Sequence, residues 1–306
     1  MSEGRRGIFS RIGIVALNLP LPGLGLQRLG RYKAALLFML VPIAGLTAIL
    51  LYYIVAPSLS FAGYALTSIG LLALYLGAIL VSAVMSWRAS RLRPERSPGR
   101  WSRWYALLGI YVAVSAITAT LVPVLHGYYK PFYIPAESMM PTLLVNDRLV
   151  ASMRGPGELR RGDIILLSVG SAIYIKRVAA LPGDRIAMRG GIVILNGTPV
   201  AQRFLRTDPV EASAFGNQAR RITEQFPGET RAHEIYDLGS SPGDDMAEQL
   251  VVQGHVFVLG DNRDRSADSR FQRSEQGVEQ LPISDIRGRA LFYTWGPSGR
   301  MGEALD

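Results

Sequence analysis

The chain has 306 residues, a net charge of +9 and no cysteine. Without cysteine there are no disulfides, no thiolate metal sites and no cysteine nucleophile, and the redox compartment stays undetermined. Mean hydropathy is positive and the apolar residues crowd into the first 130 positions. The arginines stand beside those residues instead of interleaving with aromatics, so the charge reads as a membrane-topology signal and not as a nucleic-acid surface.

In chain order, residues 1–33 form a basic N-terminal segment. Residues 4–30 are broken by Pro20, Pro22 and several glycines and hold no apolar region followed by a small-residue cleavage site. They read as a segment lying on the membrane surface or dipping into it, not as a cleavable leader. A membrane domain of residues 34–126 follows, with uncharged apolar runs at 34–56, 61–86 and 104–126. Each run exceeds the roughly 20 residues that cross about 30 Å of hydrocarbon at 1.5 Å per residue, and each is expected to be helical so that its backbone satisfies itself. The alternative, buried core helices of a soluble protein, has to explain three such runs. Trp87, Trp101, Trp104, Tyr128 and Tyr129 flank them like interfacial anchors, and Pro42 and Pro123 are expected to kink their helices.

Orientation follows from the cations. Arg5, Arg6, Arg11, Arg28, Arg31 and Lys33 precede the first span, and Arg88, Arg91, Arg93, Arg96, Arg100 and Arg103 lie in the loop 87–103; the link 57–60 is uncharged. The positive-inside rule puts the N-terminus and the Arg-rich loop in the cytoplasm, and everything after His126 on the outer face. With no ionisable group inside the spans, a transporter reading has no residue to stand on.

Just past the last span comes a serine, Ser138, pinned between Pro135 and Pro141. The prolines exclude helix, leaving a rigid backbone that holds one hydroxyl near a membrane exit. Such a serine is either an ordinary loop residue or a nucleophile. Short strand-like runs follow at 148–153, 163–169, 172–180, 185–188, 192–195 and 198–200, the last two joined by the hairpin signal Asn196-Gly197. Further strands are expected at 255–259 and 289–295. The outer domain, 127–306, is therefore mostly antiparallel β, with a more polar segment at 202–253 taken as an insertion or a small subdomain of undetermined fold.

Lys176 falls in the run 172–180, with Tyr174 and Val178 at alternate positions and so on one face. A lysine held against an apolar sheet face loses hydration, which lowers its pKa and lets a neutral amine take a serine proton; the alternative is a lysine that snorkels to the surface. Arg177 points the other way and is expected to be solvated. A third polar cluster, residues 260–270 (Gly-Asp-Asn-Arg-Asp-Arg-Ser-Ala-Asp-Ser-Arg), is either a charged surface turn or a support that holds Ser266 near the amine and pairs Asp268 with Arg270. His126 ends a membrane span, and His233 and His255 are expected to be structural. No nucleophile-elbow, zinc-protease or phosphate-loop motif is present.

These blocks together resemble the bacterial type I signal peptidases, the membrane-bound leader peptidase family. The matching stretches are 134–143 (Ile-Pro-Ala-Glu-Ser-Met-Met-Pro-Thr-Leu), 162–165 (Gly-Asp-Ile-Ile), 174–178 (Tyr-Ile-Lys-Arg-Val) with 181–184 (Leu-Pro-Gly-Asp), 260–270, and a final Gly288-Arg-Ala290. The resemblance runs from about Phe132 to the C-terminus. It implies a membrane anchor plus a mostly antiparallel β catalytic domain whose apolar surface rests on the outer leaflet, so that membrane lipid is a partner. It also implies Ser138 as nucleophile, Lys176 as general base, Ser266 as the residue that orients the lysine, and Asp268 and Arg270 as braces. The implied substrates are secretory preproteins cut after small residues in an Ala-x-Ala pattern. Their side chains would enter pockets lined by Phe132, Ile134, Met139, Leu143, Tyr174 and Ile175, with no cofactor and no metal. Two residues depart from the family pattern. Ala136 stands where a serine often supplies an oxyanion donor, a loss that can cost about 10²–10³ in rate, and Arg265 stands where asparagine is common. The rival readings are a processing peptidase for a narrow substrate set, an inactive preprotein-binding relative, and a self-cleaving repressor, which would need a DNA-binding head where this chain has spans.

Overall fold

The computed structural model describes residues 8–56, 58–91, 99–170, 172–213 and 216–305. Arg5, Arg6, Pro57, Arg93 and Arg96, used above for orientation, lie outside the described residues. The chain divides into two compact units, Met1–Gly127 and Tyr128–Asp306.

The first unit is helical: α1 (Ile8–Ala16), α2 (Leu24–Arg28), α3 (Tyr32–Met39), α4 (Val41–Val55), α5 (Phe61–Arg91) and α6 (Trp104–His126). Three stretches, Tyr32–Val55, Phe61–Arg91 and Trp104–His126, are long and apolar enough to cross a membrane. Large apolar side chains such as Leu66, Leu80 and Val112 stand exposed on them, an arrangement that hydrocarbon tolerates and water does not. Pro42 ends one helix and starts the next, because it offers no N–H to the carbonyl of Phe38. Pro123, by contrast, sits within the last turn of a continuous α6. Helix α5 runs on through Trp87 to Arg91, so the first part of the expected Arg-rich loop is helical. Leu21, Leu24 and Leu26 pack with Ala35, Met39 and Leu107, and buried Asn18 accepts from the N–H groups of Gly23 and Gly25 and donates to Ser86 Oγ.

Among the described residues the second unit has fourteen strands in three sheets, every ladder antiparallel. They are β1 (Tyr129–Tyr133), β2 (Arg148–Ser152), β3 (Ile164–Val169), β4 (Ala172–Ala180), β5 (Arg185–Arg189), β6 (Ile192–Leu195), β7 (Thr198–Pro199), β8 (Ala201–Ser213), β9 (Gly216–Gln225), β10 (His233–Asp237), β11 (Met246–Leu250), β12 (His255–Leu259), β13 (Leu281–Pro282) and β14 (Ile286–Trp295). The main sheet runs β1-β2-β14-β3-β4-β12-β13, and the others run β11-β5-β6-β7 and β10-β9-β8.

The main sheet is covered on both faces, which is why β3 is apolar and buried from Ile164 to Leu167 instead of alternating. Ile164 and Leu166 join Ile134, Met139, Leu143, Leu149 and Tyr293 on one side, while Ile165 and Leu167 join Val178, Val256 and Val258 on the other. The β6–β7 turn places Asn196 at φ 52° and Gly197 at φ 79°, the left-handed pair that a two-residue hairpin demands. The segment 202–253 resolves into a three-stranded sheet, β8 to β10, plus β11, which returns to pair with β5.

Candidate active site

Strand β4 carries two consecutive cations. In a strand they must face opposite sides, and both are buried, at 2% and 4% exposure for Lys176 and Arg177. Lys176 lies 5.6 Å from the centre of the Tyr174 ring, and its Nζ is 2.9 Å from Ser138 Oγ. Burial lowers its pKa to about 8; the nearby Asp268 and Asp261 carboxylates work against that shift, and Arg270 works with it.

Arg177 corrects the sequence reading: it is not solvated. Its Nε and Nη2 grip both carboxylate oxygens of Asp261 at 2.9 and 2.7 Å, and Nη1 donates to the Gly162 carbonyl at 2.7 Å. Burial alone would lower its pKa, but the Asp261 carboxylate outweighs that and raises it. Burial would likewise raise the Asp261 pKa, and the Arg177 guanidinium holds it below the ordinary carboxylate range.

The loop holding Ser138 is tied to the segment 260–270. The N–H of Asn262 donates to the Ser138 carbonyl at 3.1 Å, and Asn262 Nδ2 donates to the Glu137 carbonyl at 3.2 Å. Among the described residues no acceptor takes the N–H of Ser138. Gly260 is required by close approach: a Cβ there would lie 2.2 Å from Ser266 Oγ and 2.5 Å from the Ser138 carbonyl oxygen. Asp268, fully buried, accepts from Arg270 Nε and Nη2, both at 2.9 Å, and from the Gly260 N–H at 3.0 Å. Burial would raise its pKa, and Arg270 pulls it below the ordinary value. Ser266 is buried beside Gly260, but among the described residues its Oγ makes no hydrogen bond to Lys176 or to any other group. Ala136 is exposed and Arg265 pairs with Glu137. His233 is buried against Glu229 and His255 contacts the Gln253 carbonyl; neither bonds to Ser138 or Lys176.

The six residues expected to line side-chain pockets fall into two groups. Ile134, Met139 and Leu143 are closed inside the core, whereas Phe132, Tyr174 and Ile175 retain exposed surface. Tyr174 packs with the Val178 side of the sheet and Ile175 with the Ile134 side. A cavity of about 630 Å³ lies elsewhere, lined by Thr142, Arg177, His233 and Arg300 but by neither Ser138 nor Lys176. That cavity and the Ser138–Lys176 contact are therefore separate features of the unit.

Sequence reasoning missed Arg177, Asp261 and Asn262 as parts of this assembly. The available signal was an arginine next to the buried lysine and an aspartate in a polar turn directly after an apolar strand. The segment 202–253 also takes part, since the N–H of Tyr236 in β10 donates to the Asp261 carbonyl at 2.8 Å.

Membrane-capable helices joined to an antiparallel β unit with an amine against a serine hydroxyl define a membrane-anchored serine protease. The signal peptidase family, peptidase S26, matches residues 101–295, and the chain belongs to that family of serine proteases that remove signal peptides. A signal peptidase I of Leptolyngbya laminosa is 32% identical over 183 residues, 56% of this chain and 70% of that protein. A signal peptidase I of Bacillus amyloliquefaciens is 28% identical over 202 residues, 65% of this chain and 89% of that protein. A crystal structure of a signal peptidase I from Enterococcus faecalis V583 is 23% identical, spans 43% of this chain and 96% of its own, and gives a TM-score of 0.25.

Proposed function

We propose that this peptidase cuts secretory preproteins after small residues, with Ser138 as nucleophile and Lys176 as general base. The observation that carries the reading is the buried Lys176 amine 2.9 Å from Ser138 Oγ, with its pKa lowered to about 8. The neutral amine accepts the hydroxyl proton as Oγ attacks the scissile carbonyl. The oxyanion forms against the free N–H of Ser138. Lys176 then returns the proton to the leaving amine, which departs as the N-terminus of the mature protein, while the signal peptide remains as an ester on Oγ. Water, deprotonated by the same amine, releases it as a carboxylate. Asp268 and Arg270 act as positioning residues by fixing Gly260 against the serine loop, and Ser266 fills the space beside it. The exposed surfaces of Phe132, Tyr174 and Ile175 are what the side chains before the scissile bond would meet, and a narrow apolar site of this kind selects alanine by excluding larger groups.

The orientation proposed is cytoplasmic for the N-terminus and for the segment between α5 and α6, with the β unit on the outer face of the cytoplasmic membrane. The clustering of Arg11, Arg28, Arg31 and Lys33, and of Arg88, Arg91, Arg100 and Arg103, supports it. Incubating the detergent-solubilised chain with a preprotein bearing an Ala-x-Ala site tests the activity. A new N-terminus directly after the second alanine is expected, and an intact preprotein would refute the reading. Because the chain has no cysteine, Ser58→Cys and Arg100→Cys report topology: an impermeant maleimide added outside should label the first and not the second.

A further inference from the structure

Beside the nucleophile lies a cavity of about 410 Å³ that the mechanism above does not use. Glu137, which precedes Ser138, and Asn262, which holds the Ser138 carbonyl, form one wall; Val210, Glu211, Leu238 and Arg265 form others. Phe132, Tyr174, Ile175 and Lys176 do not line it. The cavity thus borders the loop that carries Ser138 through Glu137 and Asn262, while Ser138 itself does not line it. Val210, Glu211 and Leu238 belong to the segment 202–253, for which the sequence offered no role.

We infer that this cavity is the subsite for the first residues of the mature protein, those that follow the scissile bond. The inference rests on the proposed Ser138 chemistry. A chain threaded over Ser138 Oγ with its acyl half against Phe132, Tyr174 and Ile175 would leave the serine along Glu137 and Asn262, which line the cavity. Asn262 is 2% exposed and its Oδ1 has no hydrogen-bond partner, an acceptor suited to a backbone N–H of the passing chain. Met140, Leu144, Val210 and Leu238 supply apolar contact. The charges are two carboxylates, Glu137 and Glu211, against one guanidinium, Arg265, which binds both the Glu137 carboxylate and the Glu211 carbonyl. The subsite thus accepts apolar or basic residues and disfavours acidic ones.

The test uses the full chain in detergent and one preprotein whose two residues after the cleavage site are changed together to Gly, Leu, Lys or Asp, with kcat/KM measured for each and the new N-terminus read by mass spectrometry. The wild-type chain should favour Lys over Asp by roughly fivefold, the effect of about 1 kcal/mol from a partly exposed charge pair. Glu211→Arg, an exposed position, should abolish or invert that ratio. Val210→Trp should cut cleavage of the Leu substrate about tenfold relative to the Gly substrate. Ratios that stay the same across wild type and both variants, whether rates are unchanged or uniformly reduced, would overturn the subsite while leaving the peptidase reading intact. Failure of the wild-type chain to cut any of the four would remove both.

Discussion

Two cations one residue apart on β4 show how differently burial acts on charge. On one face of the strand Lys176 meets a hydroxyl, an aromatic ring and a carboxylate already committed to Arg270, so desolvation prevails and its pKa falls to about 8. On the other face Arg177 meets the Asp261 carboxylate in bidentate contact, so pairing prevails and its pKa rises. A buried cation without a counter-ion of its own is left with a lowered pKa; one with a dedicated counter-ion becomes a strut. The strut also braces the proposed site, because Arg177 fixes Asp261 next to Asn262, whose N–H and Nδ2 hold the Ser138 and Glu137 carbonyls.

The comparison is broken most severely at its reactive end. Lys176→Met or Ser138→Ala should lower kcat by about 10⁴-fold or more while leaving the far-UV circular dichroism unchanged. Lys176→Met should not lower the midpoint of thermal unfolding, because the substitution removes a desolvated charge; a large drop would show that the amine is a structural group.

The neighbouring position should behave in the opposite way. Arg177→Met leaves the Asp261 carboxylate buried without its partner, a loss of about 3–5 kcal/mol for an ion pair of this kind. Its thermal midpoint should fall well below that of Lys176→Met, and equal midpoints would contradict the contrast between the two faces. Gly260→Ala probes the link between them. Its Cβ would collide with Ser266 Oγ and the Ser138 carbonyl, and displacing the serine by a fraction of an ångström should cost about 10²-fold in kcat/KM.

The smallest effect, and the one that sharpens the assignment of the base, is the pH profile. With the Lys176 pKa near 8, the amine is neutral above that value and protonated below it. The kcat/KM for a fixed preprotein should therefore rise with pH, reach half its plateau near pH 8, and fall about tenfold per unit on the acid side. A plateau extending down to pH 6 would remove Lys176 as the base.

Hydropathy and cation placement along the chain determined the three long helices, because a helix that satisfies its own backbone needs only a run of apolar residues. The Asn196-Gly197 hairpin was equally local, since its two residues carry the left-handed conformation themselves. Ser138, Lys176 and the 260–270 cluster were found through short blocks whose order matches a family, and the fold brings the amine and hydroxyl within 2.9 Å. The fate of Arg177 was not legible. Alternation along β4 gives its face but not what covers that face, and Asp261 arrives from 84 residues away. The sheet β8 to β10 was hidden because β8 and β9 are rich in polar and charged residues and β8 is largely exposed, and β11 pairs with β5 instead. Sequence alone set which segments are apolar and which residues could react. Only the tertiary structure decided which buried charge received a partner, because desolvation and pairing depend on groups that chain order keeps far apart.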